Sequence, residues 1–457
     1  MALIAPFRGL RYNPQLVTDL SVVMAPPYDV ISPEGQRTFH ARHEQNVIRL
    51  ILGETLAGDD AERNQYSRAG DYFRRWQAEQ VLIRDPAPAL YLYQQTFRLP
   101  DAKTLTRHGL IGLVRLEEFG SRTVFPHERT MGAAKADRLR LMQACHANLS
   151  SVFGVYPGRV HELDRLVAAA GESKPAIDLT DWDNIRHQVW ICQDREAITR
   201  LQVECVSTPI FIADGHHRYE TALNFRDLMR AKEQGDPVQM QKRPYNYIMM
   251  TLVSATDPGL VILPIHRLLR HLPGGSLEGY LAQLTPQFAV EQLSVPRDPE
   301  AVASALLGRM RQTKEGTHCF GLYGGEEQAY LLTLTDERAL EAGVENDKPL
   351  VYRQLDVTIA HTLLIERPRS RYGLSDLPED ALSYNHDAAE TIRLVQQGGW
   401  AAAIVLNPTR IAEVQAVAEA GLRMPPKSTF FYPKLLTGLV IHPLMSDEAV
   451  EVQAAEK

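Results

Sequence analysis

The sequence predicts a mixed α/β (α+β) protein of two or three domains, and three observations carry that prediction. Apolar runs of strand length alternate with helix-periodic stretches along the whole chain, with no all-helical or all-strand block. Pro209–Lys232 (PIFIADGHHRYETALNFRDLMRAK) reads as one strand–turn–helix unit. The chain has 457 residues, against roughly 100–200 per domain.

Taken in order, the elements are as follows. Ala25–Gly35 (APPYDVISPEG) is a Pro- and Asp-rich turn region, and Asn46–Leu52 (NVIRLIL) is strand-like. Asp60–Leu82 reads as a helix because Tyr66, Tyr72, Phe73, Trp76 and Val81 form a rough apolar stripe. Ala89–Leu99 and His108–Phe119 are β-like, separated by the polar Pro100–Arg107. Helices are expected at Arg138–His146, Asp164–Ala170 and Glu196–Cys205, and strands at Ser151–Tyr156 and Arg186–Cys192. In the Pro209–Lys232 unit, Ile210–Ala213 is a continuous apolar run, as in a buried strand. Asp214-Gly215 is the turn, and from Arg218 onward Tyr219, Ala222, Leu223, Phe225 and Met229 share one helical face.

Glu233–Pro244 is polar with Gly and Pro, so it reads as a loop and a domain boundary, before β-like runs at Tyr245–Ser254 and Gly259–His266. Further on, helices are expected at Ala301–Arg311, Tyr352–Ile365, Ala388–Gln397 and Ile411–Ala420. Strands are expected at His318–Tyr323, Gln328–Leu334 and Ala401–Leu406.

Composition narrows the class. Lys and Arg number 49 against 56 Asp and Glu, a net charge of −7. That balance argues against nucleic acid as a partner, which needs a basic footprint. Cys145, Cys192, Cys205 and Cys319 form no CxxC pair and no Cys/His run with zinc spacing, so neither a disulfide framework nor a structural zinc is expected. None of the four has a convincing basic or His neighbour to make it a nucleophile. The start, MALIAPFRGLRYN, lacks an apolar core behind a basic flank and does not read as a signal peptide. No apolar run approaches the roughly eighteen residues of a membrane helix. A cytoplasmic enzyme without a membrane partner is expected, and the Asn148-Leu149-Ser150 sequon is taken as accidental.

Three motifs carry chemistry. A helix start leaves backbone N–H groups unpartnered and holds the positive end of the dipole. At Asp214–Arg218, Gly215 would let a phosphate approach that backbone, while His216, His217 and Arg218 add side-chain donors. Asp214, at the strand end, would orient a metal–phosphate complex or a histidine. The bland alternative is that Asp214 caps the helix and the histidines pack. In Val124–Met131 (VFPHERTM), Glu128 is a candidate general base, with His127 positioning it or touching phosphate. Arg129, Lys135, Arg138 and Arg140 follow as a local basic group. The pair matters only if it faces the Asp214–Arg218 turn; otherwise it is ordinary surface. Pro26-Pro27-Tyr28-Asp29 is either a rigid capped turn or a substrate contact through Tyr28 and Asp29. His40 and His43 form an HxxH without an acidic cluster, which reads as packing. Met424–Lys434 (MPPKSTFFYPK) reads either as a lining for a polyanion or as rigid C-terminal packing.

Together ADGHHRYETAL (Ala213–Leu223), FPHERT (Phe125–Thr130), APPYDVIS (Ala25–Ser32) and MPPKSTFFYPK resemble the bacterial and archaeal family called domain of unknown function 1015, over nearly the whole chain. That family looks like a distant branch of the ParB/sulfiredoxin superfamily, in which the free-serine kinases are its nearest functional match. The resemblance implies a ParB/sulfiredoxin-like phosphoryl-transfer core at 86–272. It also implies an N-terminal segment at 1–85 packed on that core, and a C-terminal α/β domain at 273–457. It implies Glu128 as base, with His127 beside it. Asp214 would hold Mg2+, and Gly215, His216, His217, Arg218 and Arg138 would hold the phosphates of ADP or ATP. The substrate implied is serine or a small phosphorylated metabolite such as O-phosphoserine, with kinase and phosphatase directions both open. A homodimer is the assembly considered. The alternative reading is a ParB-like nucleotide-gated regulatory protein acting through a partner, against which the charge of −7 counts.

Overall fold

The longest apolar runs build one nine-stranded mixed sheet. The computed structural model describes residues 3–451, apart from 100–101, 207, 315, 326, 337, 344–346, 372–379 and 446–447. Its contacts divide the chain into two compact units, 1–261 with 433–457, and 262–432.

In the first unit the strands are β1 (Ile4–Ala5), β2 (Leu10–Tyr12), β3 (Leu82–Arg84), β4 (Leu90–Arg98), β5 (Thr104–Arg115) and β6 (Val124–Phe125). They continue with β7 (Ala147–Asn148), β8 (Val152–Tyr156), β9 (Ile177–Thr180), β10 (Arg186–Cys192), β11 (Ile210–Asp214) and β12 (Tyr247–Ser254). The large sheet runs β6-β11-β8-β12-β5-β4-β10-β9, with β1 on β5. Only β6/β11 and β8/β12 pair in parallel; the remaining neighbours are antiparallel. The helices are α1 (Pro33–Arg42), α2 (Ile48–Ile51), α3 (Gln65–Ala78), α4 (Gly132–Cys145), α5 (His161–Ala170), α6 (Arg195–Cys205), α7 (His216–Lys232) and α8 (Pro237–Gln241). Residues of β4, β5, β8, β11 and β12 form one buried core with the apolar faces of α6 and α7, among them Leu90, Val114, Val152, Ile212, Leu201, Tyr219 and Phe225. Strands buried on both faces read as unbroken apolar runs, which is why they are visible in the sequence.

The second unit holds a six-stranded sheet in which every neighbour pair is antiparallel. Its order is Phe288–Ser294, Gln328–Leu334, Cys319–Tyr323, Ala402–Val405, His266–Leu269, Leu382–Asn385. Alternate residues face two separate clusters: Phe320, Leu332 and Ile404 pack with Tyr280 and Leu364, while Cys319, Leu331 and Ala403 pack with Val302 and Ile392. Helices therefore cover both faces of this sheet.

Several expectations are corrected. Asn46–Leu52 is not a strand; its centre is the short helix α2. Asn46 is fully buried, accepts from Ile48 N–H at 2.9 Å, and donates to the Val22 and Met24 carbonyls at 2.7 and 3.0 Å. An apolar run buried all round has no periodicity to separate helix from strand, and the asparagine decides. Glu233–Pro244 contains α8, and the units divide at Val261/Ile262 instead. Residues 1–85 share the first compact unit with 86–261 and 433–457, and the second unit spans 262–432. The helix expected over Tyr352–Ile365 is broken. Leu350–Arg353 and Asp356–Ile359 flank an extended Leu355, and Ala360–Glu366 is a π-helical turn leading into Pro368. Part of the polar Pro100–Arg107 belongs to β5; Pro100 and Asp101 lie outside the described residues.

Asn46→Ala removes three buried hydrogen bonds and leaves two carbonyls and one N–H unpartnered. A loss of about 2–4 kcal/mol is expected, measured by urea unfolding at pH 7.

Candidate active site

The site is built where β11 ends. The β8 register slips between Ile212 and Asp214, so a bulge re-aims the strand's last residue. Gly215 follows at φ +94°, and a Cβ there would lie 2.9 Å from the Arg218 guanidinium. Only glycine adopts that conformation without strain while leaving the guanidinium its place. α7 then begins with no side chain capping it, so its first backbone N–H groups remain available.

Two histidines fasten the 127–131 loop to this helix start. The His127 N–H donates to His216 Nε2 at 3.2 Å, and the Met131 N–H donates to His217 Nε2 at 3.0 Å. With Nε2 accepting, the hydrogen-bond pattern assigns the His216 ring hydrogen to Nδ1. That nitrogen lies 3.1 Å from Glu128 Oε2, at charge-pair distance rather than in hydrogen-bond alignment. The His127 ring packs edge-on against His216, centroids 4.7 Å apart. Burial, and then the neighbouring His216, push the fully buried His127 down to about 3, so it is neutral near pH 7. Burial and His216 likewise lower His217. Burial opposes ionisation of Glu128, but attraction to His216 and then His127 overrides it and brings the carboxyl to about 2. The Glu128 side chain remains 39% exposed, an ionised carboxylate open to a ligand.

Asp214 is the second centre. Its Oδ2 accepts from Arg218 Nη2 at 2.6 Å and its Oδ1 from Lys434 Nζ at 2.6 Å. Burial works to raise its pKa, yet Lys434 and then Arg218 hold it well below the usual carboxylate range. Arg218 also donates to the Ser151 carbonyl, which ties α7 to the residue just before β8. Asp29 lies in the field of Asp214, Arg218 and Lys434; its surface is solvent-accessible, and burial of the carboxyl group and then Asp214 raise its pKa. The Arg138 guanidinium stacks 3.9 Å over the Tyr28 ring and donates to the Ile51 carbonyl at 2.7 Å. Tyr28, Arg138 and Arg218 line one small cavity of about 50 Å3.

The predicted residues Tyr28, Asp29, His127, Glu128, Arg138 and Asp214–Arg218 thus gather around one helix N-terminus. The sequence reading missed Lys434. Its segment was noted as Lys-rich, but nothing local ties it to a carboxylate 220 positions away. It also missed what holds Lys434 in place. The fully buried Arg107 donates to the Pro433 carbonyl at 2.6 Å and, through Nε, to Gln95 Oε1 at 3.2 Å. Gln95 in turn donates to the Lys434 carbonyl at 3.1 Å. The Arg107 guanidinium lies 4.7 Å over Phe153, and burial lowers it to about 10. This clamp fixes the backbone from which the ammonium reaches Asp214.

The metal role expected for Asp214 does not fit. Each of its oxygens faces a cation, and among the described residues no three His, Cys, Asp or Glu are grouped to hold a metal ion. Asp214 anchors two positive side chains instead. His40 and His43 satisfy local backbone groups: His40 Nε2 meets the Leu52 carbonyl and His43 Nδ1 accepts from Gln45 N–H. All four cysteines are free, and burial pushes Cys145 and Cys205 up to about 12. Among the described residues no helix is long and apolar enough to cross a membrane.

The chain belongs to a family that a sequence match identifies. It matches the family described as "Protein of unknown function (DUF1015)" over residues 4–358. No curated protein matches it. Solved structures with a similar chain path include a free serine kinase in complex with AMP, at 12% identity and TM-score 0.31, covering 70% of this chain and 85% of that one. They also include C-terminally truncated SbnI from Staphylococcus aureus, at 9% identity and TM-score 0.33, covering 73% and 87%. A conserved hypothetical protein from Pyrococcus furiosus matches at 12% identity and TM-score 0.30, covering 70% and 92%. Scores this low carry nothing about chemistry, which must come from the residues above.

His127 gives a pH prediction for stability. The folded ring stays neutral down to about 3, whereas the unfolded ring titrates near 6.5. Between those values the unfolded chain binds more protons, so stability falls as pH drops below 6.5, by at most about 1.4 kcal/mol per unit for this ring. His266 and His442, lowered by burial to about 3 as well, add their own slopes, so denaturant midpoints measured from pH 7.5 to 5 should fall, and His127→Asn should reduce that fall without abolishing it.

Proposed function

We propose that this protein is a phosphoryl-transfer enzyme acting on the hydroxyl of free serine or on O-phosphoserine, through a ParB/sulfiredoxin-like core. The observation that carries the reading is Glu128, an ionised, partly exposed carboxylate 3.1 Å from His216 at the uncapped N-terminus of α7. A proton acceptor and a phosphate cradle thereby share one site.

Each group then has a role. The first N–H groups of α7 and the guanidinium of Arg218 take the phosphates of ATP or ADP. Lys434, held at Asp214, adds a second positive charge beside them. The serine hydroxyl gives its proton to Glu128 as its oxygen attacks the terminal phosphorus; the bond from that phosphorus to the nucleotide oxygen breaks, and ADP leaves when ATP is the donor or AMP when ADP is. Such a transition state is loose and asks little basicity of the acceptor, so a carboxyl near 2 suffices when well placed. Neutral His127 packs edge-on against the His216 ring, whose Nδ1 lies 3.1 Å from the base. Asp29, exposed beside the cluster, suits the ammonium of an amino-acid substrate, with Tyr28 stacked under Arg138 at its side. With water in place of the serine hydroxyl, the same parts hydrolyse O-phosphoserine.

The test follows ADP from ATP plus serine, AMP from ADP plus serine, and phosphate from O-phosphoserine with and without ADP, each with and without Mg2+. Turnover in either direction is expected, with Glu128→Gln lowering kcat/KM by about 10²–10⁴ in a variant that still unfolds cooperatively. Absence of turnover in both directions, or a Glu128→Gln variant as active as the parent, overturns the reading.

A further inference from the structure

A cavity of about 510 Å3 in the first unit lies apart from the residues of the Asp214 site. It lies along the C-terminal half of α7, and its volume is that of an ordinary small-molecule site. Four cationic side chains line it, Arg115, Arg226, Arg230 and Lys242, against two acidic ones, Glu117 and Glu118. A local excess of two positive charges is notable in a chain whose net charge is −7.

The arginines are held from behind. Arg230 Nε donates at 2.8 Å to Asn246 Oδ1, and the buried Asn246 amide donates to the Met240 and Arg243 carbonyls. A guanidinium gripped through Nε is oriented, while its two terminal nitrogens stay available. Among the described residues Arg230 has no carboxylate partner. One helical turn earlier lies Arg226, whose side chain is only 6% exposed. Its ion-pair partners Glu118 and Asp227 are 68% and 60% exposed, so solvent screens the charges that balance a buried cation. Burial, and then Arg226, lower the pKa of Arg230, against the smaller opposing pull of Asp227, Tyr245 and Glu118. The wall opposite is fixed to the same helix: the Glu117 N–H donates to Tyr219 Oη at 3.0 Å. Leu116, Val238 and Tyr247 supply apolar lining.

We infer that this cavity is a second anion site, for a small phosphomonoester whose phosphate is taken by Arg230 and Lys242 and whose organic part lies on the apolar lining. A guanidinium with two terminal nitrogens available and an ammonium match a dianion in charge, and the guanidinium adds bidentate geometry. The site stands independently of the reading given for Glu128 and Asp214.

Calorimetric titration of the full chain with inorganic phosphate, and separately with O-phosphoserine, at constant ionic strength tests it. Binding that Arg230→Ala, and separately the exposed Lys242→Glu, weakens at least ten-fold is expected, with the melting temperature of the Lys242→Glu variant unchanged. Lys434→Met should leave that binding in place. Two binding events, one lost in Lys434→Met and one in Arg230→Ala, support both sites. A single event lost only in Arg230→Ala supports this site and counts against phosphate binding at α7's N-terminus. A single event lost only in Lys434→Met, or binding insensitive to Arg230→Ala and Lys242→Glu, overturns the second site.

Discussion

The carboxylate of Asp214, held between Arg218 and Lys434, is the contact on which the arrangement of the site depends. It joins a strand end, a helix start and a chain segment 220 positions away. A buried carboxylate without those two cations would carry a large desolvation cost. With them it stays ionised, and each cation is kept at a fixed place beside the α7 N-terminus. Arg218 can take its position only because Gly215 has no side chain.

Around that pair the protein sorts its charges by depth. His127 is buried and neutral; Glu128 is accessible and ionised; His216 lies between them with one nitrogen on backbone and the other facing the carboxylate. The loop carrying Glu128 links the two-residue β6 to α4, which begins four residues after Glu128. Its position comes from His216 and His217 accepting its backbone N–H groups, which transfers the rigidity of a 17-residue helix to the base. Arg107 does similar service for Lys434. Its buried guanidinium is balanced by Gln95, the Pro433 carbonyl and the Phe153 ring, an expensive arrangement that makes sense for holding one backbone segment in register.

The same helix serves two environments. Its N-terminus carries unpartnered N–H groups and histidines, while its C-terminal half carries Arg226 and Arg230 beside a cavity. Helix dipoles favour cations at C-termini, so this placement is electrostatically natural. What is unusual is how Arg230 is oriented, by a neutral buried amide rather than by a carboxylate.

Much of the fold was legible in the sequence because its signals are local. β10 over Arg186–Cys192 and the strand Gln328–Leu334 coincide with their apolar runs. The Asp214-Gly215 turn followed from residue types whose backbone preferences need no distant partner. The sequence likewise named the residues around the site, from Tyr28 to Arg218. Long-range pairing was not legible. Lys434 and Arg107 join the site only through strand register and a chain return, which no short window encodes. Asn46–Leu52 became helical because Asn46 found buried carbonyls at Val22 and Met24. By itself, then, the sequence determined which chemical groups are present and which local turns they occupy. Tertiary structure alone decided that both oxygens of Asp214 face cations, because that depends on which side chains folding brings within 3 Å.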